Sequence, residues 1–303
     1  MKLASFVIKS TGAATVGAVV KGGILDLHAA SKGRLPTSMI KFLERGEPAM
    51  RRARELAKNP DKDFVYATGE IELQAPIPKP GKIMHTSCNF SAHLSELTTW
   101  EEPEWQSHNW KDFHFEHPTG FLEAPSSVVP HKARVKIPHF TKQLDYEIEM
   151  GIIIGKEAFR VSKEDALDYV AGVTIFNDLS ARDIQAREHS NHVILLGKSF
   201  NGSCPLGPYL VTLDEVGDPD NLAMVLTLNG KERQNSSTAN MVYKTRELVS
   251  WWSNTTLQPG DVITTGSPPG VIAGMKNTPY LAPGDRIDCN IEKLGKLTTY
   301  IVK

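Results

Sequence analysis

The chain has 303 residues, 40% of them hydrophobic and 23% charged, which is enough apolar sequence for a sizeable core. A formal net charge of -1 and a pI near 6.8 provide no global positive field for nucleic acid or a membrane surface, so an anionic ligand has to be held by a local site. Cys88, Cys204 and Cys289 are far apart with no CxxC spacing, which argues against a disulfide framework or a zinc-thiolate site and fits a reducing, cytoplasmic compartment.

The first 30 residues read as short strands with glycine turns. Lys2–Lys9 alternates in part, 10–14 turns, Thr15–Val20 returns, and Ile24–Leu27 is a third strand. Lys9, Gly12, Gly17 and Lys21 interrupt the apolar core that a signal peptide needs. Nowhere do about 18 apolar residues run without a break, so no membrane span is expected. Residues 37–57 read as helical, with Met39, Ile40 and Leu43 on one side, broken in two by Gly46 and Pro48. Pro76, Pro78 and Pro80 mark a linker between a small N-terminal domain, residues 1–75, and a main domain, residues 76–303.

From Lys82 onward the chain is strand-rich. Turns are expected at Gly207-Pro208, Asn229-Gly230, Pro259-Gly260-Asp261 and Pro283-Gly284-Asp285. Ser162 and Asp165 have capping-box spacing ahead of a helix at Ala166–Tyr169, and a strand, Val170–Phe176, follows. The stretch 97–119 is rich in Trp, Glu and His without a steady period and reads as a long loop or insertion. Its Trp100, Trp105, Trp110, Phe113 and Phe115 would cap a pocket, build a dimer contact or pack among themselves. Neither a GxGxxG nor a P-loop pattern is present, which leaves little room for a nucleotide enzyme.

The sharpest local feature is Asp145-Tyr146-Glu147-Ile148-Glu149-Met150-Gly151 followed by Ile152-Ile153-Ile154. On a strand, residues two apart share a face, so Glu147 and Glu149 project side by side. Alternation of this kind is also what a half-exposed strand shows. The apolar run that follows, however, reads as a buried strand, and two neighbouring buried carboxylates need compensation. A divalent cation supplies it, and hard carboxylate oxygens suit Mg²⁺, Mn²⁺ or Ca²⁺ better than zinc. Asp178, at the end of the next strand, is a third ligand or a turn residue. Upstream, His93 and Glu96 share a helical face if Cys88–Glu96 contains a short helix. That is either a surface pair or a general base whose tautomer a carboxylate fixes.

Together and in this order the motifs resemble the fumarylacetoacetate hydrolase family over roughly residues 80–303. They are Asn89-Phe90-x-x-His93-x-x-Glu96, Phe121-Leu122-x-x-Pro125-Ser126-Ser127, Asp145-Tyr146-Glu147-x-Glu149, Asn177-Asp178-x-Ser180-Ala181-Arg182-Asp183-Ile184-Gln185, Gly197-Lys198-Ser199-Phe200 and Thr265-Gly266-Ser267-Pro268-x-Gly270-Val271. The resemblance implies an α+β, β-rich fold: a mixed β-sandwich roll with a small N-terminal α/β domain, usually a homodimer. It implies one Mg²⁺ or Mn²⁺ per subunit on Glu147, Glu149 and Asp178, and a catalytic set of His93, Glu96 and Lys198. Substrate contacts fall to Arg182, Gln185, Thr265, Gly266 and Ser267. The chain departs from the family at Glu123, where a lysine is usual, at Asn201, where an aspartate is usual, and at Ser267, where threonine is usual. The activity implied is hydrolysis of a C–C bond in a small diketo carboxylic acid. The alternatives are a 2-oxo acid decarboxylase or keto–enol isomerase on the same fold, or a metal-binding protein without turnover.

Overall fold

The structure is a computed structural model that describes residues 1–98, 100, 103–106 and 116–303. Among the described residues a twelve-stranded sheet dominates. Its main path runs Val65–Tyr66, Gly23–Asp26, Ala14–Val20, Lys2–Ile8, Cys204–Val211, Val170–Asn177, Ile148–Ile154, Val262–Thr264, Ile83–Ser87, Thr119–Glu123. A five-stranded sheet runs Lys231–Ser237, Ala223–Leu228, Arg286–Ile291, Gly295–Val302, Ala133–Lys136. The result is a strand-rich α+β fold with few helices.

The Ile148–Ile154 strand is buried along its whole length. Ile148, Met150, Ile152 and Ile154 enter a core shared with Leu226, Ile287 and Leu297 of the smaller sheet. Ile153 enters a second core on the opposite face, with Leu3, Phe42, Leu43 and Leu206. This explains the run of isoleucines without alternation: both faces are covered. Because Glu149 shares its face with Gly151 and Ile153, the carboxylate end of the strand opens on the side away from the smaller sheet.

The first strand pairs directly with Cys204–Val211, Lys2 opposite Val211 and Leu3 opposite Leu210, so the N-terminal hairpin extends the large sheet. Two helices, Met39–Glu44 and Gly46–Lys58, cover it with Met39, Phe42, Leu43, Ala49 and Ala53. The break between them falls at Gly46 (φ 60°), and Pro48 sits in the first turn of the second helix, where its missing N–H costs nothing. Asn229 (φ 53°) and Gly230 (φ 81°) make the tight turn between Ala223–Leu228 and Lys231–Ser237.

Two local expectations are corrected. Gly207-Pro208 is not a turn but lies inside the Cys204–Val211 strand. Ala166–Tyr169 forms a single 3-10 turn rather than an α-helix, although Ser162 and Asp165 do exchange hydrogen bonds ahead of it (2.9 and 3.1 Å). Val170 must leave almost at once to begin the next buried strand, so the turn has no room to propagate.

Candidate active site

One pocket of about 310 Å³ gathers most of the polar residues singled out above. Its walls come from the ends of Ile83–Ser87 and Thr119–Glu123, the start of Ile148–Ile154, the helices Ser91–Leu97 and Arg182–Ser190, and the loop at Gly266-Ser267.

Glu147, Glu149 and Asp178 each offer a carboxylate oxygen within 4.8 Å of the others, and all three are buried. Strand pairing explains the convergence. Ile148 faces Asn177 in register, and Asp178 N donates to Glu147 O at 2.9 Å, so Asp178 sits beside Glu147 across the ladder. Gly266 N donates to Glu149 Oε2 at 2.9 Å. Gly266 has φ 79°, and a Cβ there would meet the Asn89 side chain at 3.0 Å, so glycine suits this close turn.

Two cations brace the trio. Lys198 Nζ donates to Glu147 Oε2 (2.9 Å), Ser180 Oγ (2.7 Å) and Asp178 Oδ2, which employs all three of its hydrogens within the protein. Arg182, 1% exposed, donates to Glu147 Oε1 (2.6 Å), Asp145 Oδ2 (2.9 Å) and Gln185 Oε1 (3.0 Å). Asp145 also accepts from Ile272 N and Ala273 N, so it anchors the arginine to the following loop. Burial opposes charge on Glu147, yet Lys198 and Arg182 hold it well below the usual carboxylate range. Burial pushes Asp178 the other way, well above that range, with Glu123 and Glu147 adding to the effect against the pull of Lys198 and His85.

His93 and Glu96 lie on the helix Ser91–Leu97, Nδ1 3.0 Å from Oε2. The other oxygen of Glu96 accepts from Gly270 N at 2.9 Å. A Cβ at Gly274 would overlap Glu96, so the glycine lets the helix settle against this loop. His93 lines the pocket, with Nε2 3.8 Å from Glu147 Oε1.

Arg182, Gln185, Gly266 and Ser267 line the pocket as well. Thr265 is fully buried behind it: Met150 N donates to its hydroxyl at 3.0 Å, and its carbonyl accepts from Asn89 Nδ2 at 2.9 Å. Ser267 Oγ accepts from Gln234 Nε2 at 2.8 Å. Trp100 packs with Ala186, Val271 and Ala273, its ring 5.7 Å from Arg182 Cζ. The side chains of Trp105, Trp110, Phe113 and Phe115 lie outside the described residues.

Sequence reasoning missed several contributors. His85 lines the pocket at 3% exposure, Nδ1 3.2 Å from Glu123 Oε2, with Nε2 3.4 Å from Glu149 Oε1 and 3.3 Å from Asp178 Oδ2. Burial disfavours the charged imidazole, but Glu149, Asp178 and Glu123 together raise it well above the usual histidine value. Glu123 had registered only as a reversed charge. His189 follows Arg182 and Gln185 along one face of the helix, where a spacing of three and then four was available as a signal, and His192 lies just beyond. Cys88 also lines the pocket, but burial, reinforced by Glu147, pushes its thiol up to about 12, which disqualifies it as a nucleophile at neutral pH.

The donor set fits a divalent cation. Glu149 Oε1 and Asp178 Oδ1 are buried without a hydrogen-bond partner, a costly state that a bound cation relieves. Among the described residues, five buried carboxyl groups, of Glu123, Asp145, Glu147, Glu149 and Asp178, lie against Arg182, Lys198, His85 and His93, a crowding of acidic groups that a divalent cation would relieve.

A carboxylate trio that could hold a metal ion, beside a histidine–carboxylate pair in a small pocket at the end of a buried sheet, has the makings of an enzyme site. The family model described as fumarylacetoacetate (FAA) hydrolase C-terminal matches residues 82–302, and the chain belongs to that family. It is 36% identical over 286 residues to the mitochondrial oxaloacetate tautomerase Fahd2a of Rattus norvegicus, covering 93% of this chain and 85% of that protein. It is 37% identical over 292 residues to the oxaloacetate tautomerase YisK of Bacillus subtilis (strain 168), covering 92% of each. Among solved structures, the fumarylacetoacetate hydrolase of psychrophilic Exiguobacterium antarcticum superposes with a TM-score of 0.80 at 32% identity, over 100% of this chain and 99% of that one. A maleylpyruvate hydrolase from Sphingobium sp. SYK-6, in complex with manganese(II) and pyruvate, superposes with a TM-score of 0.76 at 25% identity, over 100% and 99%.

Proposed function

We propose that this chain catalyses keto–enol tautomerisation of a small 2-oxo dicarboxylic acid, with oxaloacetate as the first candidate. The observation that carries the reading is the His93–Glu96 pair directed at the carboxylate trio within one pocket. The names of the similar proteins favour this isomerase reading over the hydrolase expected from the motifs.

Glu96 fixes His93 with the proton on Nδ1, which leaves the Nε2 lone pair facing the pocket. From there His93 takes a proton from the carbon next to the 2-oxo group and returns it, directly or through a water, to the 2-oxo oxygen as the C–C double bond forms. Mg²⁺ or Mn²⁺ on Glu147, Glu149 and Asp178 would polarise the 2-oxo group and offset the negative charge that develops on its oxygen. Arg182 and Lys198 hold Glu147 in place, Lys198 also holds Asp178, and Gly266 N holds Glu149. Gln185, Gly266 and Ser267 line the space where the acid has to lie.

The test is the decay of the enol absorbance of oxaloacetate, with and without added Mn²⁺ or Mg²⁺ after EDTA treatment. Metal-dependent acceleration over buffer supports the proposal. Absence of acceleration, with metal-dependent cleavage of maleylpyruvate or an acylpyruvate into two acids, replaces it with the hydrolase reading.

A further inference from the structure

We propose that His85, through Nε2, is a fourth ligand to the cation on Glu147, Glu149 and Asp178, and that its nitrogen makes the centre prefer a transition metal such as Mn²⁺ or Fe²⁺ over Mg²⁺. This inference rests on the reading of the carboxylate trio as a metal site.

His85 Nε2 lies 3.4 Å from the unpartnered Glu149 Oε1 and 3.3 Å from Asp178 Oδ2, which also accepts from Lys198 and leaves Oδ1 as the free oxygen of that residue. Donor atoms on neighbouring vertices of a six-coordinate ion with bonds of about 2.1 Å stand about 3 Å apart. The contact with Glu149 is not a hydrogen bond, because Glu149 Oε1 has no hydrogen-bond partner. Two donors that converge on a common ion face each other in this way without bonding.

The other ring nitrogen is engaged as a metal-bound imidazole requires. Nδ1 is 3.2 Å from Glu123 Oε2, and a carboxylate on the far nitrogen is the usual partner of a ligating histidine, since it fixes the tautomer and raises the basicity of the metal-facing nitrogen. Phe121 stacks on the ring at 4.5 Å and 14°, which holds its plane. Register explains the arrangement: His85 faces Phe121 and Ile83 faces Glu123 across two antiparallel strands, so Glu123 is the diagonal neighbour of His85. Imidazole donors favour manganese and iron over magnesium, which binds through oxygen and holds its waters.

The experiment uses the full chain, stripped with EDTA and titrated with Mn²⁺, and reads nitrogen coupling by pulsed EPR together with Mn²⁺/Mg²⁺ competition. Wild type and His93→Asn are expected to show directly bound nitrogen, and His85→Asn to lose it. The Mn²⁺/Mg²⁺ preference is expected to fall at least ~10-fold in His85→Asn, and Glu123→Gln to keep the coupling while binding ~10-fold more weakly. If His85→Asn does not fold, ¹⁵N-histidine labelling of wild type, compared with unlabelled His93→Asn, carries the assignment. Bound Mn²⁺ without nitrogen coupling in wild type, or coupling that persists in His85→Asn, overturns the proposal and leaves the carboxylate site intact. Failure of wild type to bind Mn²⁺ removes both.

Discussion

His93 and Glu96 stand three residues apart on one short helix, Nδ1 3.0 Å from Oε2, and the second oxygen of Glu96 is tied to the backbone of Gly270. The carboxylate is thus held from both sides, and the imidazole has one orientation to offer the pocket. His93→Ala is expected to lower kcat at least ~10²-fold with little change in stability. Glu96→Gln, which retains one acceptor, should cost less in kcat than His93→Ala. A His93→Ala enzyme that turns over at the wild-type rate removes His93 from the mechanism.

Arg182 is the sole guanidinium among the described residues bonded to both Asp145 and Glu147. Arg182→Met leaves both carboxylates buried without that cation. Truncating one partner of a buried ion pair costs about 3–5 kcal/mol, and a drop of that size in urea-unfolding free energy is the expected result. An unchanged midpoint would mean that water reaches the carboxylates once the arginine is gone.

Metal removal should register in stability as well as in rate. A divalent cation on Glu147, Glu149 and Asp178 would relieve the crowding of their buried carboxyl groups. Mn²⁺ at about one hundred times its Kd adds about 2.7 kcal/mol, which raises Tm by roughly 5 °C for a chain of this size. Glu149→Gln should abolish the shift. If Mn²⁺ leaves wild-type Tm untouched in calorimetry, the trio does not hold it.

His131 accepts a hydrogen bond from Thr298 N on Nδ1 at 3.1 Å. Burial, helped by Lys132, lowers its pKa to about 4. Its folded value is therefore below its unfolded value of about 6.5, so the folded state resists the proton that the unfolded state accepts. Its contribution is fully present above about pH 6.5 and is lost as pH falls toward 4. The effect is small because the site is partly solvated. His131→Gln should flatten the Tm profile between those limits while leaving Tm at pH 8 nearly unchanged, and a parallel profile would count against this linkage.

Much of this molecule is encoded by local periodicity. The period of two that sets Glu147 beside Glu149, the helical spacing of His93 and Glu96, the isoleucine run of a strand covered on both faces and the Asn229-Gly230 turn all depend on residues within a few positions of one another, where backbone geometry alone dictates direction. What the linear pattern does not contain is register. That Glu123 meets His85, 38 positions away, follows from how two strands align, and no local preference records it. Lys198, on a turn ahead of the Cys204–Val211 strand, reaches Glu147 from 51 positions away, with its hydrogens taken up by protein oxygens that only the assembled site supplies. Gly207-Pro208 has the composition of a turn, but it lies within the Cys204–Val211 strand, with Gly207 paired opposite Ile175. The sequence by itself determined which side chains share a face. The tertiary structure decided which faces meet, because pairing across a sheet is selected by the burial of both surfaces at once.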